Sequence, residues 1–171
     1  MKFNELRGKH KQFTYESFEV MPEGNDLKIY FNFTITPNIK FRPEVVFPDG
    51  FKDLSEEVLK TLVFHLGLIE MISYWKATCS PEIIIKVGYL SDDQIKWWKD
   101  LLIKGLGEFF YTNQIDFTIP DLVKFKIESH LGGGIDTTPR ELKDRNLILV
   151  GGGKDSAVTL ESISGKSNQC L

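Results

Sequence analysis

The residues of this chain whose types and spacing could do chemistry are Gly151-Gly152-Gly153-Lys154-Asp155-Ser156. They follow the apolar run Leu147-Ile148-Leu149-Val150 and precede Ala157-Val158-Thr159-Leu160-Glu161-Ser162-Ile163, which reads as the first turns of a helix. A strand, a glycine turn and a helix N-terminus aim backbone N–H groups and the positive end of the helix dipole at one point, which is how a phosphate is held. Glycine lets the backbone approach the anion, Ser156 supplies a hydroxyl donor, and Asp155 supplies a carboxylate that can face a metal ion.

Spacing separates three phosphate loops. A Walker-type loop needs Ser or Thr after Gly-Lys, and Asp155 stands there, so that reading fails. A dinucleotide fingerprint places a third glycine where Ser156 lies and an acidic residue about 20 positions further on, so that reading is weak. The third signature is S-G-G-x-D-S, the loop of enzymes that split ATP into AMP and pyrophosphate. Gly152 to Ser156 resemble it, while Gly151 replaces the first serine and removes one hydroxyl donor. The competing structural reading is an ordinary glycine turn, which the flanking apolar run and helix disfavour. Bound ATP and a magnesium ion at Asp155 are the expected ligands.

A nucleotide-binding α/β layer needs several parallel strands joined by crossovers of a dozen or more residues. Only the stretch to Leu171 follows Ser156. The expected organisation is therefore an N-terminal α+β domain over residues 1–130, a linker over 131–145, and over 146–171 the first strand, loop and helix of a truncated α/β domain. Any catalytic role then belongs to a longer protein.

Within the first domain, Phe13 to Val20 and Leu27 to Ile35 flank Pro22-Glu23-Gly24-Asn25-Asp26, the pattern of a hairpin. Leu27, Ile29, Phe31, Phe33 and Ile35 alternate with polar neighbours, as in a sheet with one buried face. A third strand around Phe41 to Phe47 completes an antiparallel meander. From Leu54 the period changes to threes and fours through Val58, Leu62, Leu66, Ile69 and Ile72, predicting a long helix capped by Asp53 or Ser55. Glu82 to Gly88 is rich in β-branched residues and reads as a central strand. Ser91-Asp92-Asp93-Gln94 is a capping box opening a second long helix, which Gly105 and Gly107 either end or allow to pack closely. Thr112 to Ser129 holds another alternating run. Gly132-Gly133-Gly134 reads as part of the connection, and Arg140 and Arg145 as a solvated face with an anion contact open to them.

His65 on the long helix reads as a satisfied or solvent-facing residue, since no second ligand stands at metal spacing. Trp97, Trp98, Phe109, Phe110 and Tyr111 read as core and rim packing. The formal charge is −3, with acids and bases interspersed, so no basic stripe favours nucleic acid. Cys79 and Cys170 offer neither a disulfide framework nor a zinc set, which fits a reducing cytoplasm. The N-terminus lacks a signal-peptide core and no unbroken apolar run reaches the roughly 20 residues that span a bilayer, so no membrane partner is expected.

Together with the order of hairpin, helices and loop, the block Gly151 to Glu161 resembles the phosphate loop of bacterial UDP-N-acetylmuramoyl-L-alanyl-L-glutamate epimerases, which carry G-G-G-K-D-S. Ile72-Ser73-Tyr74-Trp75-Lys76-Ala77 and Gly105-Leu106-Gly107-Glu108-Phe109-Phe110-Tyr111 are similar as well. The resemblance implies an ATP- and magnesium-dependent inversion of the terminal L-glutamate of a UDP-muramoyl dipeptide, supplying D-glutamate to peptidoglycan. An α-proton beside an ionised carboxylate is very weakly acidic, and acyl-adenylate formation removes that charge so that a side-chain base can act. It further implies that Gly152, Gly153 and the Lys154 amide cradle pyrophosphate, that Ser156 donates to it, that Asp155 holds magnesium, and that the Lys154 side chain offsets phosphate charge. No catalytic base is identified; the bases belong either to the rest of a longer protein or to the open candidates Tyr74, Lys76 and Glu108. Two alternatives remain: another adenylating enzyme of the same loop group, amide-forming or tRNA-modifying, and a non-catalytic recognition domain.

Overall fold

The computed structural model describes residues 3–50, 54–129, 148 and 150–163. The chain divides into two compact units, Met1–Asp136 and Thr137–Leu171.

The first unit begins with a short helix, α1 (Phe3–Lys9), which the sequence pattern did not disclose. The expected hairpin follows as β1 (Gln12–Glu23) and β2 (Asp26–Ile35), paired antiparallel. The register slips between Tyr15 and Ser17, leaving Glu16 as a bulge. That extra residue explains an irregular sequence pattern: Phe13 and Tyr15 before it, and Phe18 and Val20 after it, all pack on the core side. The single third strand is instead two, β3 (Ile39–Phe41) and β4 (Glu44–Phe47), each antiparallel to β2. Pro43 separates them because it has no N–H for the ladder, while its carbonyl still accepts from the Phe31 amide at 3.1 Å.

The antiparallel meander supplies four of the six strands. The strands β5 (Glu82–Ile85) and β6 (Lys124–Ile127) run parallel to β1 and to each other, giving the order β3-β2-β1-β5-β6 with β4 also on β2. The unit is thus α+β with a mixed six-stranded sheet. As expected from its unbroken apolar run, β5 lies between two neighbours, and Ile83 and Ile85 are fully buried. Parallel pairing requires crossovers. The one from β1 to β5 contains the helix α2 (Glu56–Trp75), and the one from β5 to β6 contains α3 (Asp92–Gly105) and α4 (Gly107–Thr112).

Ser55 caps α2 by accepting from the Val58 amide at 3.4 Å; Asp53 lies outside the described residues. The capping box of α3 is present in both directions, Gln94 N–H to Ser91 Oγ at 3.3 Å and Ser91 N–H to Gln94 Oε1 at 2.9 Å. Gly105 and Gly107 have open space around them, so they mark the junction of α3 and α4 rather than a close contact.

Val63, Phe64, Gly67, Leu68, Met71 and Trp75 form the buried face of α2, opposite Phe13, Tyr15, Ile29, Phe31, Phe33 and Ile35 of the sheet. Full burial of each large side chain contributes roughly 1.5–3 kcal/mol. By length and composition α2 could also cross a membrane, with a mean hydropathy of 1.3, but in this unit it is a core helix. Its end is tied down by the Trp75 indole N–H, which donates to the Ser80 carbonyl at 2.9 Å in the interior.

One polar atom in this core has no partner among the described residues: the Tyr15 hydroxyl, which burial also keeps protonated well beyond the usual tyrosine range. An unpaired buried hydroxyl costs about 1–3 kcal/mol. Tyr15→Phe is therefore expected to leave the urea midpoint unchanged or raise it, and a clear loss of stability would show that the hydroxyl does have a partner.

The opposite sheet face is polar and cross-linked. Thr34 donates to Glu16 at 2.8 Å, Lys86 pairs with Glu16 at 2.9 Å, and Arg42 pairs with Glu19 at 3.0 Å. Burial pushes the Glu16 carboxyl up, but the bonds from Lys86 and Thr34 outweigh it and hold the group below its ordinary 4.5. A depressed folded pKa gives stability that is complete above the unfolded value and lost as pH falls through the folded one. Glu16→Gln should flatten the acid limb of the pH–stability curve below about pH 4.5. The effect for so accessible a pair is about 0.2–1 kcal/mol, readable by urea titration at two pH values.

Candidate phosphate-binding loop

Gly151, Gly152 and Gly153 form a bend, and Lys154, Asp155 and Ser156 are the first turn of α5 (Lys154–Ile163). The helix forms here because Gly153 offers its carbonyl to the Ala157 amide at 3.3 Å, and Thr159 Oγ1 donates back to the Asp155 carbonyl at 2.8 Å. Gly152 has φ +77°, a left-handed conformation that only glycine adopts without strain. A Cβ at any of the three glycines would meet nothing within 4 Å among the described residues.

The first turn of a helix leaves amide groups without intrahelical acceptors, with the positive end of the dipole beside them. Ser156 closes the loop: its hydroxyl oxygen accepts from the Gly151 amide at 3.2 Å. A hydroxyl that accepts one bond still carries its own hydrogen to donate, so Ser156 can hold the loop and reach an anion together. Gly151 contributes its backbone amide to that closure.

All six predicted residues are thus gathered at one helix N-terminus, five exposed and Ser156 half-buried. The predicted strand is a different matter. Leu147 and Leu149 lie outside the described residues, and Ile148 and Val150 show no strand pairing among the described ones. Gly132 to Gly134, Arg140, Arg145 and Cys170 also lie outside them. Among the described residues no group of three metal-type side chains converges, so Asp155 stands as a single carboxylate. One carboxylate suits magnesium, which keeps waters and takes further oxygens from phosphates. The bend, the left-handed glycine and the acid at the helix start thus stand together at the positive end of α5.

Among the described residues, the open candidates for a base sit in packing contacts or at the surface. Tyr74 packs on Phe41 and Phe33, with ring centres 4.9 and 5.6 Å away. Lys76 ends α2 with its Nζ 6.0 Å from the Phe109 ring centre, and Glu108 is exposed in the first turn of α4. That Lys76–Phe109 contact does bring the two upstream similar stretches together. His65 lies half-buried between the Phe64 and Trp98 rings, and burial lowers its pKa, keeping it neutral near pH 7. Trp98 and Phe110 are core, whereas Trp97 and Tyr111 are exposed at the rim.

A family model described as the MurL N-terminal domain matches residues 4–171. The chain belongs to the MurL N-terminal domain family. Two curated relatives carry the name UDP-N-acetyl-alpha-D-muramoyl-L-alanyl-L-glutamate epimerase. The one from Xanthomonas oryzae pv. oryzae is 29% identical over 98 residues, 57% of this chain and 21% of its own length. The one from Salinispora tropica is 30% identical over 132 residues, 72% of this chain and 27% of its own length. The chain therefore spans only about a quarter of the length of these relatives. No solved structure matches. The family match runs across both units and includes the loop.

Proposed function

We propose that this chain is the N-terminal part of an ATP-dependent epimerase that inverts the terminal L-glutamate of UDP-N-acetylmuramoyl-L-alanyl-L-glutamate, in cytoplasmic peptidoglycan precursor synthesis. The observation that carries the reading is the family match over residues 4–171, which contains the glycine bend at the start of α5. Gly152, Gly153 and the Lys154 amide would receive the phosphates, Ser156 would donate to them, and Asp155 would take the magnesium ion. ATP, when bound, supplies the adenylation that removes the negative charge next to the α-carbon. The chain's own contribution is to fix the anion with preorganised backbone donors, which need no reorganisation as charge develops.

The test uses the full-length protein that carries this domain, incubated with ATP, magnesium and the muramoyl-alanyl-glutamate nucleotide in deuterated water. Deuterium at the glutamate α-carbon together with AMP formation is the expected result. Unlabelled glutamate would overturn the epimerase reading, and AMP formation with a different acceptor would favour another adenylating enzyme of this loop group.

A further inference from the structure

The lysines look scattered in the sequence, yet the fold collects several of them. Arg7 and Lys9 of α1, Lys11 just before β1, and Lys124 at the start of β6 line one groove of about 710 Å³, together with Glu82 and Asp121. The groove lies at the N-terminal ends of the parallel strands β1, β5 and β6, within the first unit. Its volume is in the range of small-molecule sites, roughly 300–1,000 Å³.

The charges do not balance. Both carboxylates are already engaged: Glu82 pairs with Lys126 at 2.6 Å and accepts from Gln12 at 3.1 Å, and Asp121 pairs with Lys124 at 3.1 Å. Lys9 and Lys11 have no ion-pair partner among the described residues. In a chain of net charge −3, a concave surface with surplus cations concentrates anions.

Arg7 is preorganised. Its Nη1 donates to the Cys79 carbonyl at 2.5 Å and the Leu122 carbonyl at 2.8 Å, while the guanidinium lies 5.2 Å from the centre of the Phe3 ring. Those bonds occupy the two hydrogens of Nη1 and leave three N–H donors on a fixed fork. Thr36, which also lines the groove, is held by the buried His10, whose Nδ1 donates to the Thr36 carbonyl at 2.6 Å. Since a carbonyl can only accept, Nδ1 carries the hydrogen.

We propose that this groove binds the diphosphate group of a nucleotide. Two unpaired lysines beside a fixed guanidinium match a ligand with two or three negative charges, more than a lone carboxylate carries. A nucleic-acid backbone would need a continuing basic stripe, and here Glu82 and Asp121 interrupt it. On the epimerase reading the ligand is the sugar-nucleotide substrate; that identity rests on the reading, whereas the groove's affinity for a diphosphate does not.

The experiment is calorimetric titration of the 171-residue chain with UDP, ADP and inorganic pyrophosphate, repeated on the double variant Lys9→Gln, Lys11→Gln. Both lysines are exposed, so the variant should melt as the wild type does. The expected result is UDP binding that weakens at least tenfold in the variant and falls with added salt. Equal affinity for ADP would also support the proposal, as recognition of the diphosphate alone. Binding of UDP that the variant leaves unchanged, or no binding of any of the three, would overturn it. These failures are separable from that of the epimerase reading, because α-deuteration by the full-length protein is scored independently of whether this groove binds UDP.

Discussion

Gly67→Ala should cost the domain at least about 3 kcal/mol, at the upper end of what overpacking a core exacts, and should abolish cooperative unfolding if the sheet cannot shift. A Cβ built at this position would run into the Tyr15 hydroxyl, and would lie 2.5 Å from Tyr15 Cζ and 2.9 Å from Phe31 Cδ1. Those rings cannot move aside. Tyr15 and Phe31 are fully buried, and Tyr15 is packed among Phe31, Phe33 and Phe64 with ring centres 5.1–6.3 Å apart. Alanine would gain about 1 kcal/mol over glycine as a helix former, so the two effects oppose each other and the steric one wins. The double variant Tyr15→Phe, Gly67→Ala should recover part of the loss, because the shortest of the three contacts disappears with the hydroxyl. Urea denaturation of the two single variants and the double variant measures this coupling; additive losses would mean that α2 and β1 do not approach as closely as described.

On the proposed epimerase reading, Asp155→Asn should lower ATP-dependent α-proton exchange by the full-length protein at least about a hundredfold, since a catalytic metal supplies several kcal/mol of charge stabilisation and each 1.36 kcal/mol is tenfold in rate. The fold should barely notice. Asp155 is exposed in the first turn of α5, where a carboxylate contributes about 0.3–1 kcal/mol through the helix dipole. Unchanged exchange in the D155N protein would remove the metal role assigned to this residue, and a lowered rate that parallels a lowered melting midpoint would make the effect structural.

The parts of this fold that were legible in the sequence are those fixed by short-range periodicity. The strict alternation from Leu27 to Ile35 gave β2, the threes and fours after Leu54 gave α2, and Ser91 with Gln94 gave the start of α3. What escaped depends on partners far along the chain or on one-residue irregularities. The bulge at Glu16 shifts the core face from Tyr15 to Phe18, a break in period that becomes intelligible only opposite Phe33 and Phe31. The parallel seat of β5 between β1 and β6 joins Phe13, Ile83 and Phe125, residues that no local pattern connects. Only Lys124–Ile127 of the alternating stretch after Thr112 became a strand, since Gln114 and Asp121 take left-handed turns before it. The glycine bend and the start of α5 were legible because their signals are local: the glycines, Asp155 and Ser156 lie within six consecutive positions. The basic groove was invisible for the opposite reason, Lys9 and Lys124 being joined only by the fold.

The most direct test of the central claim is a titration of the isotopically labelled chain with magnesium-ATP, following the backbone amide resonances of the loop. The account predicts that Gly152, Gly153 and Lys154 shift saturably and that Asp155→Asn removes the dependence on magnesium. Loop amides that stay in place at millimolar ATP, with or without the metal, would contradict it.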